Sequence, residues 1–482
     1  MSSDSLKRKA VTGVIWSSFE RFSVQAIQFI LSIILARLLA PSDYGIIGMI
    51  NIFLAISQSI IDSGFSNALI QKKDRTQIDY STVFFFNIAI GLFLYFILFL
   101  CADFIAKFYN LPILVPITRV IAINLFVNSL VIVQKAKLSI ELNFKIQAKI
   151  NTVSTLISGV IGLLLAYKDW GVWSLVYQSV LFNLLSLVLY WYYAKWRPSL
   201  VFSWSSFNQL FKYGSKLLIT GLYGPIFDNI NSLIIGKLYT PASLGYYNRA
   251  DSLAKFPSSN ITDIINRVTF PLLSLIQDDD DKLRHYYKKL ITISAYIVFP
   301  LMIGLASISK PLISILLTEK WLPSAEYLEL ISYSLLWYPI CAFNINLLLV
   351  KGAVQIHLKL DLLKKLLYLI TLIITSNISI KAICIGFLIS SLTSWIITAL
   401  YSGKLIKLGL KQQIIDISPI LLMSIISCLP NRYINSLTLS PILTIVIDLI
   451  ISIILYITLS YIIKRELLFT IISVKNKNKQ QL

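Results

Sequence analysis

The chain has 482 residues, 56% of them hydrophobic and only 14% charged, with a formal net charge of +20 and a mean hydropathy of +0.75. Soluble domains carry about 25% charged residues, so this composition excludes an ordinary water-soluble globule and makes lipid the main solvent. The positive charge is scattered over many short polar stretches, which excludes a nucleic-acid-binding patch and reads as membrane topology.

A helix crossing about 30 Å of hydrocarbon needs about 20 residues. On that basis spans are predicted near 13–38, 44–66, 81–103, 112–134, 149–167 and 172–194, and again near 213–238, 244–270, 288–309, 325–350, 361–379 and 381–403. Two more follow near 415–430 and 439–463. Lys7, Arg8 and Lys9 precede the first run, which is long, holds Glu20 and Arg21 and lacks a small-residue cleavage site; it reads as a span, not a cleavable leader. With the amino terminus placed in the cytoplasm, 30 of the 43 Lys and Arg residues fall on that side, 8 outside and 5 within spans. That alternation predicts fourteen helices with both termini inside.

Six spans occur twice. Ile34-Leu35-Ala36-Arg37-Leu38-Leu39-Ala40-Pro41-Ser42-Asp43-Tyr44-Gly45 returns 200 positions later as Ile234-Ile235-Gly236-Lys237-Leu238-Tyr239-Thr240-Pro241-Ala242-Ser243-Leu244-Gly245. Leu111-Pro112 and Leu322-Pro323 likewise precede the fourth and tenth spans. Six is even, so the copies start from the same side and are parallel repeats, related by an axis along the membrane normal. The expected organisation is an all-α polytopic membrane protein with an N-lobe over 1–200, a C-lobe over 201–410, and two added helices with a cytoplasmic tail over 411–482. A duplicated bundle of this kind holds cargo in the cleft between its halves.

Ionisable residues at span depth cost at least about 2.5–3.5 kcal/mol on insertion scales, so they face cavities or partners. Here they cluster in spans one, two, seven and eight. Ser17, Arg21, Gln25, Gln28 and Ser32 share a face of span one, as Asn51, Gln58 and Asp62 do in span two. Gln28 aligns with Asp228, and Asn51 with Asp251; span eight adds Arg249, Lys255, Asp263 and Arg267. Pro225 and Pro257 are expected to interrupt spans seven and eight and expose backbone to cargo. A purely structural reading, with Glu20–Arg21, Asp251–Lys255 and Asp263–Arg267 as internal ion pairs, stands beside the cavity reading. Arg119 is expected to snorkel to the surface, and Asp448 to be a packing residue.

No phosphate-binding Gly-x-x-x-x-Gly-Lys-Ser/Thr loop, zinc-protease motif or nucleophile elbow is present, so no catalytic residue is assigned and an enzyme is disfavoured. Four scattered cysteines and two loop histidines, His285 and His357, suggest no metal site. No cofactor is expected; H⁺, Na⁺ or the membrane potential would supply the work, with Glu20, Asp62, Asp228, Asp251 and Asp263 as coupling or cavity residues.

Several stretches resemble the polysaccharide transport family of oligosaccharide flippases, within the MOP exporter superfamily that also holds the MATE carriers. They are Ala36 to Gly45, then Gly245-Tyr246-Tyr247-Asn248-Arg249-Ala250, Pro257, Val268-Thr269-Phe270-Pro271, and Lys320-Trp321. The likeness runs over about the first 400 residues, with one departure at Ala353 after Gly352, where relatives often carry a polar residue. The resemblance implies a flippase that carries polyprenyl-diphosphate-linked oligosaccharide across a bacterial inner membrane for O-antigen, capsule or exopolysaccharide synthesis. Membrane lipids, a glycan polymerase and glycosyltransferases would be its partners. In that frame Arg21, Gln25, Gln28, Arg249, Lys255 and Arg267 are candidate substrate contacts, because a diphosphate needs cationic donors. Tyr223, Tyr246 and Tyr247 are candidates for sugar stacking. The competing readings are a MATE-like drug or cation exporter, which favours a net acidic cleft, and a polytopic glycan polymerase, which needs a sizeable outer loop.

Overall fold

The computed structural model describes residues 23–62, 64–434 and 440–467; some helical side chains, including those of Arg267 and Arg432, lie outside the described set, as do Glu20 and Arg21 entirely. Among the described residues every regular element is helical. The chain divides into two compact units, Met1–Gly245 and Tyr246–Leu482.

The first unit contains α1 (Ser23–Leu38), α2 (Pro41–Asp62), α3 (Phe65–Gln71), α4 (Gln77–Tyr109), α5 (Leu114–Ile121), α6 (Ile123–Ser129), α7 (Ile132–Ile140), α8 (Phe144–Tyr167), α9 (Val172–Ala194) and α10 (Trp204–Leu238). α11 (Pro241–Leu275) starts in this unit and continues into the second. The second unit adds α12 (Asp280–Ser307), α13 (Ser309–Leu317), α14 (Pro323–Leu335), α15 (Tyr338–Val350), α16 (Val354–Ser376), α17 (Ile380–Ile406), α18 (Leu410–Ile434) and α19 (Pro441–Ile463).

Ten stretches among the described residues are long and apolar enough to span a bilayer. α10, α11 and α16, at 35, 35 and 23 residues, have the length but more polar side chains. With the shorter apolar α1, this inventory accommodates fourteen crossings. The predicted fourth span is built from α5, α6 and α7, and the tenth from α14 and α15, so both stretches after the Leu-Pro pairs are broken helices. The protein is thus an all-α, multi-pass membrane protein.

In the first unit, Phe65, Leu69, Phe84, Val133, Trp196 and Leu210 form a buried cluster that ties α3, α4, α7 and α10 together. Beside it Thr76 and Asp79 form a reciprocal cap on α4. The buried Asp79 also accepts from Lys72 Nζ at 2.8 Å and from the Ser206 hydroxyl. In the second unit an enclosed polar knot sits among buried apolar side chains such as Phe299, Ile340, Phe343 and Leu347. Asn344 Oδ1 accepts from the Tyr287 hydroxyl, from Ser402 Oγ at 3.0 Å and from Gln413 Nε2 at 3.1 Å. Asn344 Nδ2 donates to Thr398 Oγ1 at 3.2 Å, and Gln413 Oε1 accepts from Trp395 Nε1 at 3.2 Å. Every polar atom there has a partner on another helix, which is what a lipid-embedded bundle requires of buried hydrogen-bonding groups.

The expectation that prolines break spans seven and eight is corrected. α10 runs unbroken through Pro225, and α11 through Pro257 and Pro271. Proline frees the carbonyl four residues earlier, and a neighbouring helix can take it up. The Gly221 carbonyl, freed by Pro225, accepts from Ser59 Oγ of α2 at 2.7 Å. Pro300 in α12 repeats the device, because the freed Tyr296 carbonyl accepts from Tyr456 Oη of α19 at 2.8 Å.

Candidate functional site

The duplicated motif forms the turns that join α1 to α2 and α10 to α11. In the first copy the Ala40 amide donates to Asp43 Oδ2 at 2.9 Å; in the second the Ser243 amide donates to Thr240 Oγ1 at 3.2 Å. Pro41 and Pro241 open their helices, where a missing N–H costs nothing and φ is already helical. Side-chain oxygens then satisfy amides that the first turn leaves over.

These two capped ends meet. A Cβ on Gly45 would lie 1.7 Å from the Pro241 carbonyl oxygen, and one on Gly245 would lie 1.9 Å from the Pro41 carbonyl oxygen. Each copy's glycine makes room for the other copy's proline, giving a reciprocal crossing that any side chain would force apart. Below it α2 packs along α10. Gly236 leaves space for Met49 and Tyr109, and Tyr109 Oη donates to the Met49 carbonyl at 3.2 Å. Lys237, the basic residue of the second copy, donates to the Phe108 carbonyl and stands 4.6 Å over its ring. Farther along, Ser59 and Gly221 make the contact already described.

Polar residues of α2 form a short relay. Gln58 Nε2 donates to Asp62 Oδ1 at 3.1 Å, and Gln58 Oε1 accepts from Asn128 Nδ2 at 3.1 Å. Gln25 is half-buried on α1 with its side-chain oxygen enclosed and unbonded, whereas Gln28 on α1 and Asp228 on α10 are exposed.

On α11, Arg249 is 9% exposed and its guanidinium lies 5.9 Å from the Trp321 ring, which also meets Tyr246 edge-on at 6.0 Å. A guanidinium held on an indole keeps a planar fork of donors suited to carboxylate or phosphate. Lys255 pairs with Asp251 at 2.8 Å, one turn apart. Asp263 is half-buried on the same helix. The ion-pair reading therefore describes Asp251–Lys255, while Arg21, Glu20 and the Arg267 side chain fall outside the described residues. Tyr247 is 3% exposed and closed to a sugar, so its stacking role is withdrawn; Tyr223 and Tyr246 are half-buried. Arg119 does not simply snorkel: it pairs with Asp103 at 2.9 Å and lies 4.7 Å over Phe99.

Trp321 is the residue that spacing arguments missed, since nothing periodic relates it to Arg249. The Lys320-Trp321 pair, fully buried at the tryptophan, was the available signal.

A family model described as "Polysaccharide biosynthesis protein" matches residues 34–326. The teichuronic acid biosynthesis protein TuaB of Bacillus subtilis (strain 168) is 27% identical over 367 residues, 76% of each chain. The lipopolysaccharide biosynthesis protein WzxC of Escherichia coli (strain K12) is 25% identical over 401 residues, 82% of this chain and 81% of that one. Among solved structures, the lipid II flippase MurJ in an inward closed conformation superposes with a TM-score of 0.76 at 16% identity, covering 94% of this chain and 99% of that one. An inward-facing MATE family multidrug transporter of the MOP superfamily gives 0.61 at 15% identity, over 80% and 94%. The chain shares the fold of these two structures.

Proposed function

Because the chain belongs to the family described as "Polysaccharide biosynthesis protein", we propose that it carries a polyprenyl-diphosphate-linked oligosaccharide from the cytoplasmic to the outer leaflet by alternating access. The observation that carries this reading is the reciprocal Gly45–Pro241 and Gly245–Pro41 crossing. Two copies of one motif closing on each other form a door that a duplicated carrier can open and shut, and an enzyme has no use for one. The names of the curated relatives, in teichuronic acid and lipopolysaccharide biosynthesis, support the glycan class.

In this reading the lobes are 1–200 and 201–410, with 411–482 added, and the crossing lies at the outer face of a bacterial inner membrane with both termini in the cytoplasm. Arg249, backed by Trp321, takes the diphosphate together with Arg21, Gln25, Gln28, Lys255 and Arg267. Asp251 holds Lys255 until the phosphate replaces it. Asp62, Asp228, Asp263 and Glu20 are the residues proposed to sense a coupling ion. The potential itself contributes, since one negative charge moving outward across 100 mV gains about 2.3 kcal/mol. Glycosyltransferases would supply the lipid-linked glycan, and a polymerase would consume it.

The test is complementation of a host lacking the gene. The wild-type chain restores surface glycan; Arg249→Ala inserts normally but loses a charge-assisted contact worth about 1.5–3 kcal/mol, a ten- to hundredfold drop in transport. Full surface glycan in Arg249→Ala would contradict the assigned contact, and export of organic cations without glycan transport would replace the cargo.

A further inference from the structure

The carboxy-terminal helix α19 is apolar outside and polar inside. Its buried residues are Thr444, Asp448 and Ser460, with Ser452 half-buried between them. The facing side of α18 buries Ser424, Ser427, Cys428 and Asn431. Asn431 Nδ2 donates to Ser452 Oγ at 3.1 Å and to Ser307 Oγ of α12 at 2.8 Å. Ser307 and Cys428 also line a cavity of about 510 Å³, whose other polar walls are Ser309, Lys310, Glu329 and Tyr333. A polar seam thus runs from this cavity to α19.

Asp448 lies one helical turn from Ser452, is 0% exposed, and has no hydrogen-bond partner on either carboxylate oxygen. A fully buried carboxylate with no protein donor or cation bonded to it is costly to keep charged. The titratable group beside Asp448 is Cys428 on α18; Lys310 on α13 and Glu329 on α14 line the cavity, and Tyr296 of α12 packs against Tyr456 of α19 at 5.2 Å. None is an acid or base bonded to Asp448. Among the described residues no cluster of three His, Cys, Asp or Glu exists to hold a metal.

We propose that Asp448 is a proton-binding site fed from this cavity. A hydronium ion in the cavity gives its proton to the carboxylate; an O–H bond forms at Asp448, water is left behind, and the side chain passes from one negative charge to none. Ser307, Asn431 and Ser452, as donor–acceptor groups, connect the cavity with the turn that carries Asp448. The site belongs to the added helix pair and is independent of the cargo proposed above.

Treatment of the full chain in lipid nanodiscs with dicyclohexylcarbodiimide, which attacks protonated carboxyl groups in apolar surroundings, tests this. Peptide mass spectrometry should find the adduct on Asp448 and see it fall at least tenfold between about pH 5 and about pH 8. Infrared spectra of the same sample should show a protonated-acid C=O stretch that Asp448→Asn lacks. Lack of both the adduct and that stretch at the acidic end would overturn the site. So would labelling that sodium suppresses while raised pH does not, which would assign a metal cation instead. Glycan transport is read separately: failure of the Arg249→Ala prediction leaves the carbodiimide result unaffected.

Discussion

Ser59 and Pro225 provide a clean double-mutant test of how this fold keeps a proline inside a long helix. Pro225 removes the N–H that would bond the Gly221 carbonyl, and Ser59 Oγ replaces it at 2.7 Å. Ser59→Ala alone leaves that carbonyl without a partner, at a cost of about 1–3 kcal/mol. Because Gly221 is itself exposed within the protein, the lower end of that range applies. In a Pro225→Ala background the carbonyl regains an intrahelical donor, and Ser59→Ala should cost under about 0.5 kcal/mol, leaving a coupling of about 0.5–1 kcal/mol. The parallel cycle of Tyr456→Phe with Pro300→Ala involves the Tyr296 carbonyl, whose residue is only 7% exposed, so its coupling should be larger, about 1–3 kcal/mol. Reversible unfolding in mixed micelles measures both. Additive losses in either cycle would refute the idea that these hydroxyls stand in for the missing amides.

Three further outcomes follow from the same structure. Gly45→Ala must relieve a Cβ 1.7 Å from a backbone oxygen, an overpacking of about 1–3 kcal/mol that opens the crossing. A cysteine at Leu244, a fully buried position, should then react with an impermeant maleimide about ten- to hundredfold faster than in the wild-type background. Gly245→Ala should do the same, and the double variant should add little, because one separation relieves both clashes. Asn344→Ala strands Gln413 and Thr398 partners in a dry site and should destabilise the second unit by about 2–4 kcal/mol, read by thermal unfolding. Asp79→Ala removes a cap and leaves Lys72 without its carboxylate; about 3–5 kcal/mol of stability should go, most of it returning with Asp79→Glu only if the longer side chain still reaches both partners.

Composition and spacing made the helical membrane fold legible, and the repeat of Pro41 and Gly45 at Pro241 and Gly245 picked out the two turns that cross each other. Apolar runs and loop charges are local signals, so they survive in one sequence. What failed was non-local. Pro225 reads as a break because the donor that rescues Gly221 sits 162 positions away, on Ser59. Trp321 stood out only as part of a motif; its contact with Arg249 was not legible because the two meet only through packing of separate segments. Tyr247 looked like a sugar platform, yet its ring faces inward, and exposure is a property of neighbours that no periodicity encodes. The fourth and tenth spans read as single helices because hydropathy averages over the turns that break them.

Cross-linking α2 to α10 while following lipid-linked oligosaccharide across a vesicle membrane tests the central claim most directly. A Cβ on Gly221 lies 3.2 Å from Ser59 Oγ, close to the reach of a disulfide, so Ser59→Cys with Gly221→Cys in a background lacking the four native cysteines should oxidise readily. With the pair reduced, a labelled glycan lipid should cross; oxidation should stop it, and reductant should restore it. Equal crossing rates in the oxidised and reduced vesicles would contradict a carrier that works by parting these helices.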